Sequence, residues 1–172
     1  MGADRGILIK TEHSPEPLIV AKALAKLVQQ DNYDLIILGK QSIDDDCNQT
    51  GQMLSALLNC SVGTYASKID FDNDSIIITR EIDGGLQTLK LSKPSVVTAD
   101  LRLNVPRYAS LPNIMKAKQK TIDELDPQDL GIDMNPKLVI KKVEEPPKRI
   151  GGGKVESIEE LIDKLKNEAG VI

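Results

Sequence analysis

Apolar positions along the first half of the chain recur at two alternating periods. Over residues 16–30 they repeat at helical spacing, whereas the short apolar runs 7–9 and 34–38 on either side are typical of buried strands. A strand, a helix and a second strand in this order favour a parallel sheet. Leucines that recur on one side predict a second helix over residues 47–58.

The pattern changes to short strand-like segments in the middle of the chain. Residues 64–70, 75–80 and 86–91 are separated by turn-forming Asp, Asn and Gly residues, which predicts antiparallel strands added to the sheet. Residues 95–99 predict one more short, buried strand. The fold class that follows is three-layer α/β, with a mostly parallel sheet and an antiparallel excursion.

Two further helices are predicted in the second half of the chain. Asn113 is expected to cap a helix over residues 114–120, which exposes several lysines. The segment 156–168 is amphipathic, and Ser157 followed by Glu160 has the form of a capping box. Its apolar face must be buried either on its own domain or on a partner.

The chain is expected to divide into a domain and an arm. Prolines punctuate the C-terminal part, and Gly151–Gly153 is typical of a flexible joint. Residues 138–143 predict a strand within this part. We therefore expect a partial nucleotide-binding-type domain over residues 1–122 and a C-terminal arm over residues 123–172.

Composition narrows the functional classes. The chain has 172 residues, of which 40% are hydrophobic, and no apolar run is long enough to cross a bilayer. A net charge of −4 disfavours a general nucleic-acid-binding role. Cys47 and Cys60 are too few for a disulfide scaffold, so we expect buried or half-buried thiols in a reducing compartment. The single histidine, His13, is expected in a surface loop. It leaves little basis for a Ser-His-Asp triad or a multi-histidine zinc site, so no catalytic residue or metal ligand is predicted.

The segment 35–51 has the strongest chemical signal. Its apolar run ends at Gly39, and after a polar loop a helical pattern begins near Asn48–Thr50. The N–H groups of a helix N-terminus that follows a strand and a glycine turn suit a phosphate. Asp44–Asp46 argue against that interpretation, because carboxylates repel a phosphate. They either cap the helix, face solvent or bind a cation, although their spacing is not that of an EF-hand.

Two other segments have both a structural and a functional interpretation. The composition of residues 81–85 is typical of a hairpin turn, with Glu81 as an exposed acid before the turn. Residues 108–115 are typical of a loop that leads into a helix, with its large apolar side chains in the core: Leu111, Ile114 and Met115. The alternative is a recognition loop, in which Pro112 holds Leu111 outward to enter a hydrophobic pocket on a partner.

The segments GKQSIDDDCNQTGQM, REIDGGLQTL and VVTADLRLNVPRYASLPNIMKAKQK follow one another along the chain. Together they closely resemble the β-subunit family of the electron transfer flavoproteins, and VPRYASLPNIMKAK resembles the signature stretch of that family. The likeness extends from MGADRG to the final helix. Three long segments in the right order are much more specific than a short motif.

The resemblance implies a heterodimer with an α subunit that holds most of one FAD, and one AMP buried in the β subunit. It implies an electron carrier rather than an enzyme. Electrons come from acyl-CoA dehydrogenases and related flavoenzymes of fatty-acid oxidation and amino-acid catabolism, and pass to a membrane-bound quinone oxidoreductase. The sheet is then of the adenine-nucleotide hydrolase-like type, with the C-terminal arm around the α subunit. The implied location is the mitochondrial matrix, or the cytoplasm in a bacterium.

The resemblance also implies roles for individual residues. Glu81 contacts the mobile flavin-bearing domain of the α subunit through a weak, salt-sensitive ion pair. Leu111 is the docking residue of a recognition loop over residues 104–120, together with Pro112, Ile114 and Met115. Lys116 matches a methylation site of animal relatives, whereas Gln119 stands at the second such site. The AMP contacts fall on Gly39, Lys40, Gln41, Ser42, Ile43, Asp44, Asp45, Asp46, Cys47, Asn48, Gln49 and Thr50.

The first residue of this chain matches a position well inside the usual sequence of the family. Roughly the N-terminal third of the family pattern precedes the position of Met1, including one wall of the AMP site and contacts near the flavin. MGADRGILIK is unlike a secretion signal, so the chain is expected to begin within the fold. Two alternatives stay open: a fragment that only binds the α subunit, and a stand-alone adenine-nucleotide-binding module. The lack of GxxxxGK[ST] and GxGxxG segments weakens the second alternative.

Overall fold

The computed structural model describes residues 2–12, 14–149 and 151–172, so the surface position expected for His13 lies outside the described residues. The chain forms two compact units, Met1–Lys137 and Leu138–Ile172. The elements described in the first unit are β1 (Gly6–Ile9), α1 (Pro17–Gln30), β2 (Leu35–Gly39), α2 (Thr50–Leu58), β3 (Ser61–Asp72), β4 (Ser75–Ile82), β5 (Gly85–Ser92), β6 (Ser95–Ala99), α3 (Leu111–Ala117) and β7 (Ile122–Leu125).

A five-stranded sheet forms the centre of the first unit. Its strand order is β2-β6-β3-β4-β5. The pairs β2–β6 and β6–β3 are parallel, whereas β3–β4 and β4–β5 are antiparallel. Asn73 makes the tight turn between β3 and β4 with a left-handed backbone (φ 45°), which asparagine tolerates better than most residues. The predicted mixed α/β fold with an antiparallel excursion is thereby confirmed.

Strand β1 lies outside this sheet. It pairs in parallel with β7, with Gly6 opposite Ile122 and Ile9 opposite Leu125. The first two predicted strands therefore do not share one sheet, contrary to the simplest interpretation of a strand–helix–strand unit. The reason is that β7, whose sequence IDEL is largely exposed and half charged, supplies the partner of β1.

Two apolar clusters pack on opposite faces of β6, because consecutive strand residues point to opposite sides. Val96 meets the small residues of α1 and Leu54 of α2, so both helices lie on one face. Val97 faces a second cluster from the antiparallel strands, which comprises Ala66, Ile76, Ile78 and Leu91. The alanines of α1 let that helix approach the sheet closely.

Gly63 of β3 packs against the centre of the second cluster. A Cβ at this position would lie 2.0 Å from Ile78 Cδ1 and 3.1 Å from Leu91 Cδ1, and Ile78 is fully buried. We expect Gly63→Ala to lower the free energy of unfolding by about 1–3 kcal/mol through overpacking, as measured by urea denaturation. Gly84→Ala is the matched control, because no atom lies within 4 Å of a Cβ there. Equal losses in the two variants would contradict this account of the packing.

Helix α3 begins earlier than its sequence pattern indicates. It spans Leu111–Ala117 with Ser110 at the N-cap, and Ser110 makes no side-chain cap bond. The prediction of Asn113 as the cap of a helix over 114–120 was therefore wrong. The physical reason is Pro112, whose fixed φ and missing N–H suit the first turn of a helix.

The segment after β7 packs on α1. Leu130 and Ile132 are buried in one cluster with Ile19 and Ala23. The first unit consequently extends to Lys137, beyond residue 123, where the arm was expected to begin.

The second unit has a capped helical segment. Helix α4 spans Ile158–Asp163 and continues as a π-helical turn over Lys164–Glu168. The predicted capping residue is confirmed, because the N–H of Glu160 donates to Ser157 Oγ at 3.1 Å. The Glu160 carboxylate accepts from the N–H of Glu156 at 2.9 Å. Among the described residues, no helix is both long and apolar enough to cross a membrane.

The strand predicted over residues 138–143 was wrong. The structure gives these residues no regular secondary structure. Their apolar side chains, namely Leu138, Val139, Ile140 and Val143, are largely exposed. A strand needs neighbours to satisfy its backbone and cover its side chains, and the pattern of six residues does not supply them.

Candidate functional site

The loop between β2 and α2 connects a strand end to a helix N-terminus, as the sequence indicates. Strand β2 ends at Gly39, and α2 begins at Thr50 with Gln49 as an N-cap that makes no side-chain cap bond. The first N–H groups of a helix have no acceptor within it. These donors are therefore available to a ligand at this end of α2.

Hydrogen bonds within the loop hold two of its three consecutive carboxylates. Asp45 accepts from Ser42 Oγ at 2.6 Å and from the N–H of Cys47 at 3.0 Å. These two donors, the Ser42 hydroxyl first, lower the pKa of Asp45. Asp46 accepts from Gln41 Nε2 at 2.8 Å. Asp45 and Asp46 thus brace the loop, a role that the sequence did not indicate, and they do not cap α2, which was one of the three roles left open. No group of three or more potential metal-ligating side chains occurs within the described ranges.

A cleft of about 260 Å³ lies between this loop and the start of α2. Pro17 and Leu38 contribute apolar wall, and the remaining walls come from the loop and the first turn of α2. That turn is pressed against β6, since a Cβ on Gly51 would lie 2.4 Å from Thr98 Cγ2. The donors at the helix start and the apolar wall fit a small anion joined to an apolar or aromatic group.

Tyr65 connects this loop to the sheet. It adopts a left-handed backbone (φ 57°) where the pairing of β3 with β6 shifts register. Its N–H donates to Thr98 Oγ1 at 3.1 Å, and its hydroxyl accepts from Asn48 Nδ2. Lys40 Nζ lies 5.7 Å from the centroid of the Tyr65 ring. Both ends of the candidate nucleotide loop therefore contact one strained tyrosine.

A cluster of ion pairs links Lys40 to Glu81 through Asp100 and Arg102. Lys40 Nζ lies 2.7 Å from Asp100 Oδ2, Arg102 Nε lies 3.0 Å from Asp100 Oδ1, and an outer guanidinium nitrogen of Arg102 pairs with Glu81. The Asp100 side chain is only 2% exposed. The Lys40 ammonium first, then the N–H groups of Arg102, hold the pKa of Asp100 far below its usual range. Asp100 is thus a fixed buried negative charge between two cations.

This cluster lines a second cleft, of about 530 Å³. Glu81 is the last charged residue of β4 and precedes the β4–β5 turn. It is half-buried and paired, so it is not the freely exposed acid that the composition of residues 81–85 indicates. The structure therefore places Glu81 and the loop that begins at Gly39 at the same end of the sheet.

Sequence reasoning selected neither Asp100 nor Arg102. Both belong to the segment VVTADLRLN, and Asp100 directly follows the buried strand β6. A charged residue immediately after an apolar strand is the signal that was available, because the carboxyl ends of parallel strands meet at one edge.

The recognition segment is exposed. Leu111 is 72% exposed and Met115 is 54% exposed, and Ile114 is also on the surface. The interpretation that these side chains pack in the core was therefore wrong, since α3 buries none of its residues. Pro112 and Lys116 are exposed as well. The structure thus presents an apolar patch next to positive charge.

The two cysteines differ in exposure. Cys60 is half-buried as expected, whereas Cys47 is exposed, contrary to the expectation of a buried thiol. Cys47 lies in the polar loop between β2 and α2, where the residues on either side of it, Asp46 and Asn48, are polar. Local desolvation and then the neighbouring Asp45 raise the pKa of the Cys47 thiol. It is therefore protonated at neutral pH and poorly nucleophilic.

Comparison with known proteins shows the family to which the chain belongs. Residues 1–130 match the family model described as the electron transfer flavoprotein domain. The chain is 58% identical over 172 residues to the electron transfer flavoprotein subunit beta of Bradyrhizobium diazoefficiens, which covers all of this chain and 69% of that protein. The human protein of the same name is 55% identical over 170 residues, or 96% of this chain and 67% of that protein. The mitochondrial protein of Arabidopsis thaliana is 56% identical over 174 residues, or all of this chain and 69% of that protein.

The chain belongs to the electron transfer flavoprotein family. Its relatives in bacteria, mammals and plants are named as the beta subunit. The family predicted from the three sequence segments is thereby confirmed, and with it a role in electron transfer.

Proposed function

We propose that the chain is the β subunit of a heterodimeric, FAD-containing electron carrier. In this role it accepts electrons from acyl-CoA dehydrogenases and related flavoprotein dehydrogenases and delivers them to a membrane quinone oxidoreductase. The observation that supports this most strongly is the 58% identity to a beta subunit across the whole chain. The flavin, held mainly by the α subunit, supplies the redox chemistry, and this chain supplies position and partner choice.

Electron transfer from a dehydrogenase tests this proposal. The chain would be combined with a matching α subunit, and the flavin absorbance followed after addition of an acyl-CoA and a catalytic amount of its dehydrogenase. Bleaching of the flavin at a rate that rises with dehydrogenase concentration supports the role. A flavin that dithionite reduces but the dehydrogenase does not would contradict it.

We further propose that the loop Gly39–Thr50 binds AMP as a structural ligand. The support is the pair of features at the start of α2, namely its available N–H groups and the adjoining cleft. Phosphate oxygens would accept from the first turn of α2, and the apolar wall would take the base. Nothing in the loop has the arrangement needed to transfer the phosphate.

Thr50→Val tests the AMP site. Its hydroxyl lies at the first helical position, so its loss removes one donor and we expect AMP to bind roughly three- to tenfold more weakly, the worth of one hydrogen bond. Isothermal titration calorimetry with AMP measures this. Thr121→Val, at an exposed position before β7, is the control and should bind AMP normally. Equal affinity of both variants for AMP would contradict the assignment.

We propose that Glu81 contacts the mobile flavin-bearing domain of the α subunit. The position of Glu81 supports this proposal, because Glu81 lines an open, charged cleft at the same end of the sheet as the loop Gly39–Thr50. An ion pair formed by a partly exposed carboxylate is weak and screened by salt. Such a contact suits a domain that must leave again.

We propose that Leu111 is the docking residue for dehydrogenases, with Pro112, Ile114 and Met115 around it. The exposed lysines of α3 and its following turn would attract acidic partner surfaces. Lys116 is exposed and accessible to methylation, whereas Gln119 cannot be methylated as a lysine is.

The remaining proposals concern architecture and location. The parallel half of the sheet, which is covered by α1 and α2, is consistent with the adenine-nucleotide hydrolase-like type. The exposed apolar residues of the second unit suit an arm that lies on the α subunit. The proposed location is the mitochondrial matrix, because the plant relatives are named as mitochondrial, or the cytoplasm of a bacterium.

A further inference from the structure

Arg102 bridges two carboxylates at the second cleft. Its Nε and its backbone N–H both donate to Asp100 Oδ1 at 3.0 Å. Its outer nitrogen Nη2 donates to Glu81. One edge of the guanidinium thus donates to the buried Asp100, while its outer end donates to the partly exposed Glu81.

The contact of Arg102 with Asp100 is less exposed to solvent than its contact with Glu81. Asp100 is 2% exposed, and its second oxygen accepts from Lys40 at 2.7 Å, so this side of the arginine is fixed. Glu81 is 33% exposed and Arg102 is 57% exposed, so water and other ions reach the outer pair. Exposed pairs of this kind exchange readily, because water competes for both partners.

The charges around the cleft are balanced. Three cations, Lys40, Arg80 and Arg102, face three anions, Glu81, Asp83 and Asp100. Arg80 donates to neutral oxygens of Gln87 and Thr64, at 2.9 and 2.8 Å. Arg102 is therefore the cation that neutralises Glu81, and a cation from outside gains less from a carboxylate that is already paired.

We infer that Arg102 competes with the α subunit for Glu81. It holds the Glu81 carboxylate while the flavin-bearing domain is away, and it gives up part of that interaction when a cation of the domain docks. This inference rests on the proposed contact between Glu81 and that domain. Arg102 is thus a positioning residue that sets how strongly the domain is held, and it limits the lifetime of one orientation.

Three variants of the whole heterodimer test the inference: Arg102→Gln, Glu81→Gln and the double variant. The readout is the ratio of docked to undocked flavin domains, from single-molecule distances between a dye on that domain and one on the β subunit. Arg102→Gln should raise the ratio by about two- to fivefold, the range of exposed ion pairs. Glu81→Gln should lower it, and the double variant should match Glu81→Gln. Lys90→Gln, which removes the exposed ion pair between Lys90 and Asp72 away from this cleft, should leave the ratio unchanged.

The other outcomes separate the two proposals. If Glu81→Gln shifts the ratio but Arg102→Gln does not, or shifts it downward too, the competition is refuted and the Glu81 contact stands. If Glu81→Gln has no effect, the Glu81 contact itself is refuted. Flavin content and thermal unfolding check that each variant folds. If Arg102→Gln does not fold, Arg102→Lys replaces it, because lysine keeps a cation for Asp100 but cannot bridge both acids.

Discussion

Leu111→Ala should weaken dehydrogenase binding by about 2 kcal/mol, or roughly thirtyfold in Kd. Leu111 is 72% exposed at the first position of α3, so its truncation removes an apolar surface without opening a cavity. A residue of this kind contributes to affinity when it enters a pocket on the partner. Flavin content and Tm should not change, because the Leu111 side chain is not part of any of the three apolar clusters of the first unit.

The measurement for Leu111 is titration of the heterodimer against an immobilised acyl-CoA dehydrogenase. Phe71→Ala is the control, since Phe71 is similarly exposed, at the end of β3, and it removes a larger apolar side chain. Only Leu111→Ala should weaken binding. Parallel loss of flavin, or an equal effect of Phe71→Ala, would show that the recognition segment is not the docking site.

Asp100→Asn should lower Tm by several degrees and loosen both clefts. The carboxylate is buried between Lys40 and Arg102, and neutralising it leaves two cations close together without their shared partner. Lys40 would then no longer be held beside Tyr65, and Arg102 would pair with Glu81 alone. We therefore expect weaker AMP binding together with the loss of stability.

The stability effect of Asp100→Asn should depend on pH with a defined sign. The folded-state pKa of Asp100 is depressed, so its contribution is fully present above the unfolded-state pKa of about 4 and is lost as pH falls below it. Wild type and Asp100→Asn should therefore differ in Tm most at neutral pH and converge in acid. Thermal unfolding between pH 7 and pH 3 measures this, with Asp74→Asn in the exposed β3–β4 turn as control. A Tm difference that stays constant over this range would contradict a charged Asp100 in the fold.

The elements that could be predicted from sequence are those with local signals. Helix α1 and the strands β2, β4, β5 and β6 were located to within two residues, because periodicity, turns and apolar runs all agree there. Strand β7 was missed because IDEL has no apolar run and exists as a strand only by pairing with β1. The strand expected over 138–143 failed for the opposite reason, since an apolar run without a neighbour is not a strand.

The candidate site was predictable where it is continuous in sequence. The loop from Gly39 to Thr50 could be recognised, because strand, glycine and helix start follow one another. The ion cluster could not, because it depends on strand order. Gly39 lies opposite Ala99 in the β2–β6 register, and this pairing places Lys40 beside Asp100. The place of β6 between β2 and β3 is a long-range property that no local pattern encodes.

Co-expression with a matching α subunit tests the central claim most directly. The heterodimer would be purified through a tag on this chain, its stoichiometry measured, and its visible absorbance spectrum recorded. A stable 1:1 complex with bound flavin is the result that we expect for the β subunit of an electron carrier. Recovery of this chain alone, or of a complex without flavin, would contradict that role.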